Sequence, residues 1–216
     1  MMEKFIKNEH FNYICKQVEF IKDNTKQHIP PGVLASVYDL SNEKIMNCIP
    51  NLTLEQKRIL DFSSLKTVEE YDQAIKELDA YRLPFPTVTD QQLKKLFPKS
   101  KKLKLPDLNG IDLKSVTYLS WIDSRSNKKY LLYELDEQLV GIECAFSPSS
   151  KKNMCSICNS QADVTFFTTK TKERQQNNPD YFRSIGNLIC TDSHECNKNI
   201  TDVAYLEALL RDSLRK

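Results

Sequence analysis

Apolar positions in the first third of the chain recur at helical spacing. Phe11, Ile14, Cys15, Val18 and Ile21 fall three or four residues apart, on one face of an amphipathic helix running from about Glu9 to Lys26. Pro30 and Pro31 stop it. A second series, Val33, Leu34, Val37 and Tyr38, is interrupted at Ser41 and Asn42 and resumes with Ile45, Met46 and Ile49 up to Pro50, a pattern that fits one bent helix or two. Thr53 with Gln56 and Thr67 with Glu70 match the capping box, so two more helices are expected to start near Leu54 and Val68. The last carries Val68, Tyr71, Ile75 and Leu78 on one side. Helices this short are marginal alone, and short connections make an antiparallel bundle the simplest way to bury their stripes.

Leu83-Pro84-Phe85-Pro86 reads as an extended exit, because a residue before proline is pushed out of helical geometry. The domain boundary is placed there, with a helical bundle over 1–85 and an α/β domain over 86–216. A short capped helix (Thr89, Gln92) opens the second part. Lys94, Lys95, Lys99, Lys101, Lys102 and Lys104 then crowd into eleven positions, and alternation of Leu103 and Leu105 with lysines suggests a strand with one basic side. From Lys114 the period changes to two. Val116, Tyr118, Ser120 and Ile122 alternate with Thr117, Leu119, Trp121 and Asp123. Turns at Ser124 to Asn127 and Asp136 to Gln138 separate two further strands, Lys129 to Tyr133 and Leu139 to Phe146. The expected fold class is α+β: an N-terminal helical bundle, an antiparallel β meander and a C-terminal module over about 154–216.

Composition narrows the function. With 216 residues, 31 basic against 29 acidic side chains and 40% hydrophobic residues, the chain reads as an ordinary globular protein. Its longest uncharged run, Gln27 to Tyr38, is 12 residues and contains two prolines, too short for a membrane span. The opening MMEKFIKNEH lacks the apolar stretch of a secretory signal, so a cytoplasmic setting is expected. Four scattered glycines build neither a P-loop nor a dinucleotide turn. Residues 1–85 hold 11 basic and 13 acidic side chains and residues 86–216 hold 20 and 16, which places any electrostatic docking surface in the back half.

The cysteines carry the chemistry. Cys15, Cys48 and Cys144 stand singly in apolar patterns and read as small core residues. Cys155 and Cys158 form a C-x2-C knuckle, and Cys190 and Cys196 follow as C-x5-C. Two such pairs suit a tetrahedral zinc ion. Strand-like runs lie between the pairs, and Asp202 to Leu214 supplies a following helix with Val203, Leu206 and Leu210 on one face, which is the layout of a treble clef. The second pair usually encloses two residues rather than five, so His194 competes with Cys196 as fourth ligand; four cysteines need no extra assumption. A cytosolic chain disfavours disulfides. A redox C-x-x-C would need a βαβ setting, and catalytic zinc an open position with a nearby base. Only three histidines occur, so acid–base catalysis is poorly equipped.

MCSICNSQADVTFF, GNLICTDSHECNKNITD and, upstream, LSWIDSRSNKKYLLYELDEQ resemble the FusB-type elongation-factor-G-binding proteins. That resemblance extends to a helical N-terminal domain, a lysine-rich stretch like KKLFPKSKKLKLPD and a C-terminal treble-clef domain. It implies a non-enzymatic role: binding elongation factor G, free or on the ribosome, through the zinc-containing part, and promoting its release when fusidic acid has locked it there. No DNA or membrane partner is implied, and a monomer is expected. One structural zinc ion on Cys155, Cys158, Cys190 and Cys196 is implied as well. Met154, Ser184, Ile185 and Leu188 depart from the aromatic and basic residues that resistance members carry around these cysteines, so partner affinity differs or the role is a housekeeping one.

Aromatics and Arg are the residue types enriched at binding hot spots, and Met154, Phe166, Phe167, Tyr181, Phe182 and Arg183 surround the knuckle and hairpin as candidate partner contacts. Strand alternation sends either Phe166 or Phe167 inward. The competing function, suggested by the lysine run and hairpin aromatics, is a zinc-finger RNA-binding module acting directly on the ribosome.

Overall fold

A computed structural model describes residues 3–27, 29–100, 103, 106–123, 125–147, 151–171 and 183–215, in two compact units, Met1–Leu83 and Pro84–Lys216. Lys101, Lys102, Lys104 and Leu105, the core of the suggested basic strand, lie outside the described residues.

The first unit is helical: α1 (Asn8–Thr25), α2 (Pro31–Asn47), α3 (Leu54–Ile59) and α4 (Val68–Leu78). Pro31 does not merely end the preceding helix; it is the first residue of α2, where its missing N–H and fixed φ suit a helix start. The second apolar series is a single helix. Ser41 is buried within it, and Asn42 turns its side chain to the next segment, accepting from the Phe62 amide at 3.1 Å. Both capping boxes form, Thr53 with Gln56 and Thr67 with Glu70. Ile14, Val18 and Ile21 of α1 pack with Ile45, Leu60, Phe62, Tyr71 and Leu78 in one core. The unit closes end to end: the Phe5 and Ile6 amides donate to the Tyr81 carbonyl at 2.9 and 3.1 Å, and the Leu83 amide donates to the Ile6 carbonyl at 2.8 Å.

The second unit is built on a six-stranded antiparallel sheet of β1 (Leu119–Asp123), β2 (Lys128–Leu135), β3 (Gln138–Phe146), β4 (Lys151–Met154), β5 (Gln161–Lys170) and β6 (Ser184–Cys190), in the order β1-β2-β3-β5-β4 with β6 also on β5. Helices α5 (Asp90–Leu96), α6 (Ser193–Asn199) and α7 (Ala204–Leu214) complete it. The β2–β3 connection is a two-residue turn, Asp136 and Glu137 both at positive φ, as a hairpin turn matched to strand twist requires.

Both faces of the meander are covered, which is why β2 is buried almost throughout. Leu131, Tyr133 and Leu135 face one core with Leu206, Leu209 and Leu210 of α7 and the four clustered cysteines. Tyr130 and Leu132 face another, with Leu93 and Phe97. The Phe97 ring lies on Gly141, where an added Cβ would come within 2.5 Å of it. Phe85, grouped with the helical part in the sequence reading, is buried in this second core and its amide donates to the Leu113 carbonyl at 2.8 Å.

Candidate metal centre

Four short elements converge at one end of the second unit. Cys155 and Cys158 sit on the tight turn between β4 and β5, Cys190 is the last residue of β6, and Cys196 lies inside α6. The knuckle is closed by the Cys155 amide donating to the Ser160 carbonyl at 3.0 Å and the Asn159 amide donating to the Cys155 carbonyl at 2.9 Å, with Asn159 at φ 52°. Helix α6 is an element the apolar pattern did not show, because it is short and polar. Its signal was Asp192, whose carboxylate caps the helix by accepting from the His194 amide at 2.8 Å. The helix also explains the wide spacing: the chain leaves the strand at Cys190, turns, and presents Cys196 from the first turns of α6.

All four cysteines are buried, and their Sγ atoms lie within 4.8 Å of one another. Cys155 and Cys196 are 3.9 Å apart and Cys158 and Cys190 3.7 Å. A Zn–S bond of ~2.3 Å in a tetrahedron needs sulfurs about 3.8 Å apart, so the donor set fits zinc. His194 points away, its side chain 70% exposed beside Glu195.

Four thiols packed this closely cannot all ionise by themselves. Cys155 is held far below the ordinary thiol range by hydrogen bonds from Cys158, Cys190 and Cys196, while Cys190 and Cys196 are pushed far above it, chiefly by their hydrogen bonds to Cys155. A divalent cation resolves the conflict by holding every sulfur as thiolate. Amides of Ile157 and Cys190 point at the Cys155 sulfur, at 3.4 and 3.3 Å. Among the described residues the buried Tyr118 hydroxyl has no other partner, and it lies beside Cys196, a donor suited to a metal-bound thiolate.

A family model described as the FBP C-terminal treble-clef zinc-finger matches residues 97–212, and one described as elongation factor G-binding protein, N-terminal, matches residues 5–86. The chain belongs to the FusB-type family. Its similarity to a solved structure titled "Structure of the fusidic acid resistance protein FusC" covers 99% of both chains at 29% identity, with a TM-score of 0.80. No curated protein matches. As a FusB-type protein with this four-cysteine cluster, the chain is a zinc protein whose C-terminal part is a treble clef.

The FusB-type chain exposes part of the face that the sequence singled out. Met154 is 55% exposed and Phe166 48% exposed, and Arg183 is exposed as well. Phe167 corrects the expectation. It is only 2% exposed, packed in the core with Val164 and Ile189, because alternation along β5 turns it inward. Tyr181 and Phe182 lie outside the described residues. Gly186 was not singled out, yet it shapes the face: a Cβ there would meet Thr168 Cγ2 at 2.7 Å and Phe166 Cζ at 2.8 Å. The Phe166 ring thus rests across the bare backbone of β6.

Proposed function

We propose that the chain binds elongation factor G through its zinc-bearing C-terminal unit and promotes release of the factor from the ribosome, so protecting translation from fusidic acid. The similarity to FusC over the whole chain carries this reading, together with the match to the elongation-factor-G-binding N-terminal model. Cys155, Cys158, Cys190 and Cys196 hold one zinc ion in a closed shell. A shell with four protein ligands leaves no position for substrate, so the ion is structural and the activity is binding rather than catalysis. Among the described residues no helix is long and apolar enough to cross a membrane, in keeping with a partner in the cytoplasm.

Met154, Phe166 and Arg183 form the contact surface. An aromatic resting against the bare backbone of a glycine loses little further freedom on docking, so its apolar area turns into affinity efficiently. Binding hastens release by favouring a conformation of the factor that the ribosome holds poorly, since a ligand shifts an equilibrium only by its differential affinity. The test is release of elongation factor G from fusidic-acid-stalled ribosomes with the wild-type chain and with Phe166→Ala. Faster release with the wild type and slower release with the variant are expected. Unchanged release with the wild type overturns the reading.

A further inference from the structure

Lys129 breaks the pattern of its own strand. Odd positions of β2 face the zinc-side core, where Leu131, Tyr133 and Leu135 are apolar, and Lys129 continues that series inward with 3% exposure. Among the described residues of Pro84–Lys216 it is the one fully buried charged side chain. A lone ammonium in a core is costly, so one kept at an apolar position needs a compensating charge.

Its surroundings supply the explanation. An ammonium has three N–H donors. Two are taken by backbone carbonyls at the metal centre, Cys190 O at 3.0 Å and Thr191 O at 3.3 Å. The Phe167 ring covers another side, its centroid 4.9 Å from Nζ. The nearby groups able to carry negative charge are the thiols of Cys196, Cys190, Cys144 and Cys155, three of them in the metal cluster. Among the described residues no carboxylate pairs with it. Four thiolates around one divalent cation leave a net double negative charge, sealed from water at buried positions. An ion in such a place is stable only when opposite charge and hydrogen bonds meet it.

We propose that Lys129 is the counter-charge of the zinc–tetrathiolate centre, a positioning residue that sets how tightly the four cysteines hold the metal and how electron-rich their sulfurs are. The proposal rests on the four-cysteine reading of the zinc site. Two effects act together. The hydrogen bonds fix the Cys190–Thr191 backbone, and the Cys190 amide in turn donates to the Cys155 sulfur. The charge lowers the energy of the thiolates, which stabilises the loaded site.

Three full-length variants separate charge from hydrogen bonding: Lys129→Met removes both, Lys129→Gln keeps donors without charge, and Lys129→Arg keeps charge. Each is loaded with zinc for competition against a chromophoric chelator, and with Co(II) for the position of the thiolate-to-metal charge-transfer band. Expected are one metal per chain throughout, apparent zinc affinity about tenfold or more weaker in Met and Gln, their Co(II) band at lower energy, and recovery of the wild-type band in Arg. If Lys129→Met does not accumulate as folded protein, Lys129→Gln against Lys129→Arg decides the matter alone. Wild-type affinity and band position in Gln overturn the counter-charge role while leaving the zinc site standing. A wild-type chain that shows no tetrathiolate band overturns the ligand reading, and this proposal with it.

Discussion

Asn197 and Tyr118 are joined by a pair of hydrogen bonds: Asn197 Nδ2 donates to the Tyr118 carbonyl at 2.9 Å, and Asn197 Oδ1 accepts from the Tyr118 amide at 3.1 Å. The same Oδ1 accepts from the Thr117 amide at 2.9 Å. The side chain thus completes the backbone bonding just before β1 and anchors α6, which carries Cys196, to the sheet. Replacing it with Ala removes three hydrogen bonds to buried backbone groups. Asn197→Ala is expected to cost at least ~2 kcal/mol, seen as a lower Tm of the zinc-loaded protein and faster metal loss to a chelator.

Metal and fold should be inseparable in residues 154–216. Structural zinc sites contribute about 10–16 kcal/mol of apparent binding energy, more than the small core around β4 to β6 could replace. Cys155→Ser and Cys196→Ala are expected to lose zinc and the ordered structure of this region, while His194→Ala keeps one zinc per chain. Metal analysis with near-ultraviolet circular dichroism checks both. A His194 variant without zinc would reassign the fourth ligand.

Gly186 and the two adjacent phenylalanines make a three-way test of the partner face. Phe167→Ala is a core deletion and should cost ~3–5 kcal/mol. Phe166→Ala should leave thermal stability nearly unchanged but weaken the complex with elongation factor G. Gly186→Val should weaken the complex too, by lifting the Phe166 ring off β6, and should also lower thermal stability, because its Cβ would meet Thr168 Cγ2 at 2.7 Å and the Phe167 carbonyl oxygen at 3.0 Å. Titration calorimetry and thermal unfolding of the same three proteins separate binding from stability.

The helical unit should weaken on mild acidification. His10 has its pKa lowered from 6.5 to about 4 by burial, with Lys7 adding to the effect. Because the folded value lies below the unfolded one, the unfolded chain takes up the proton first. Stability is intact above pH 6.5 and falls between pH 6.5 and 4, by up to ~3 kcal/mol. His10→Gln is expected to flatten that part of the unfolding profile measured in denaturant.

Much of this was legible in the residues, and what escaped did so for local reasons. Capping boxes at Thr53, Thr67 and Thr89 marked helix starts because they rest on contacts within one turn, and all three form. Strands β2 and β3 and their turn followed from alternation. The cysteine spacing pointed to a cluster that the structure brings together. Ser41 and Asn42 looked like a break in α2 because their burial and their bond to the Phe62 amide are tertiary. Phe85 could not be assigned to a core from an extended segment alone. Helix α6 was too short for periodicity, and Asn197 and Lys129 are polar residues whose partners lie 79 and 61 positions away.

Titration of the full chain into purified elongation factor G, at two salt concentrations and beside a ribosomal RNA control, tests the central claim most directly. The expected result is a one-to-one complex at micromolar affinity or tighter, weakened by Phe166→Ala and by Arg183→Glu with zinc content unchanged. No complex with the factor, alongside RNA binding that falls steeply with salt, would contradict it and point to the ribosome itself as the partner.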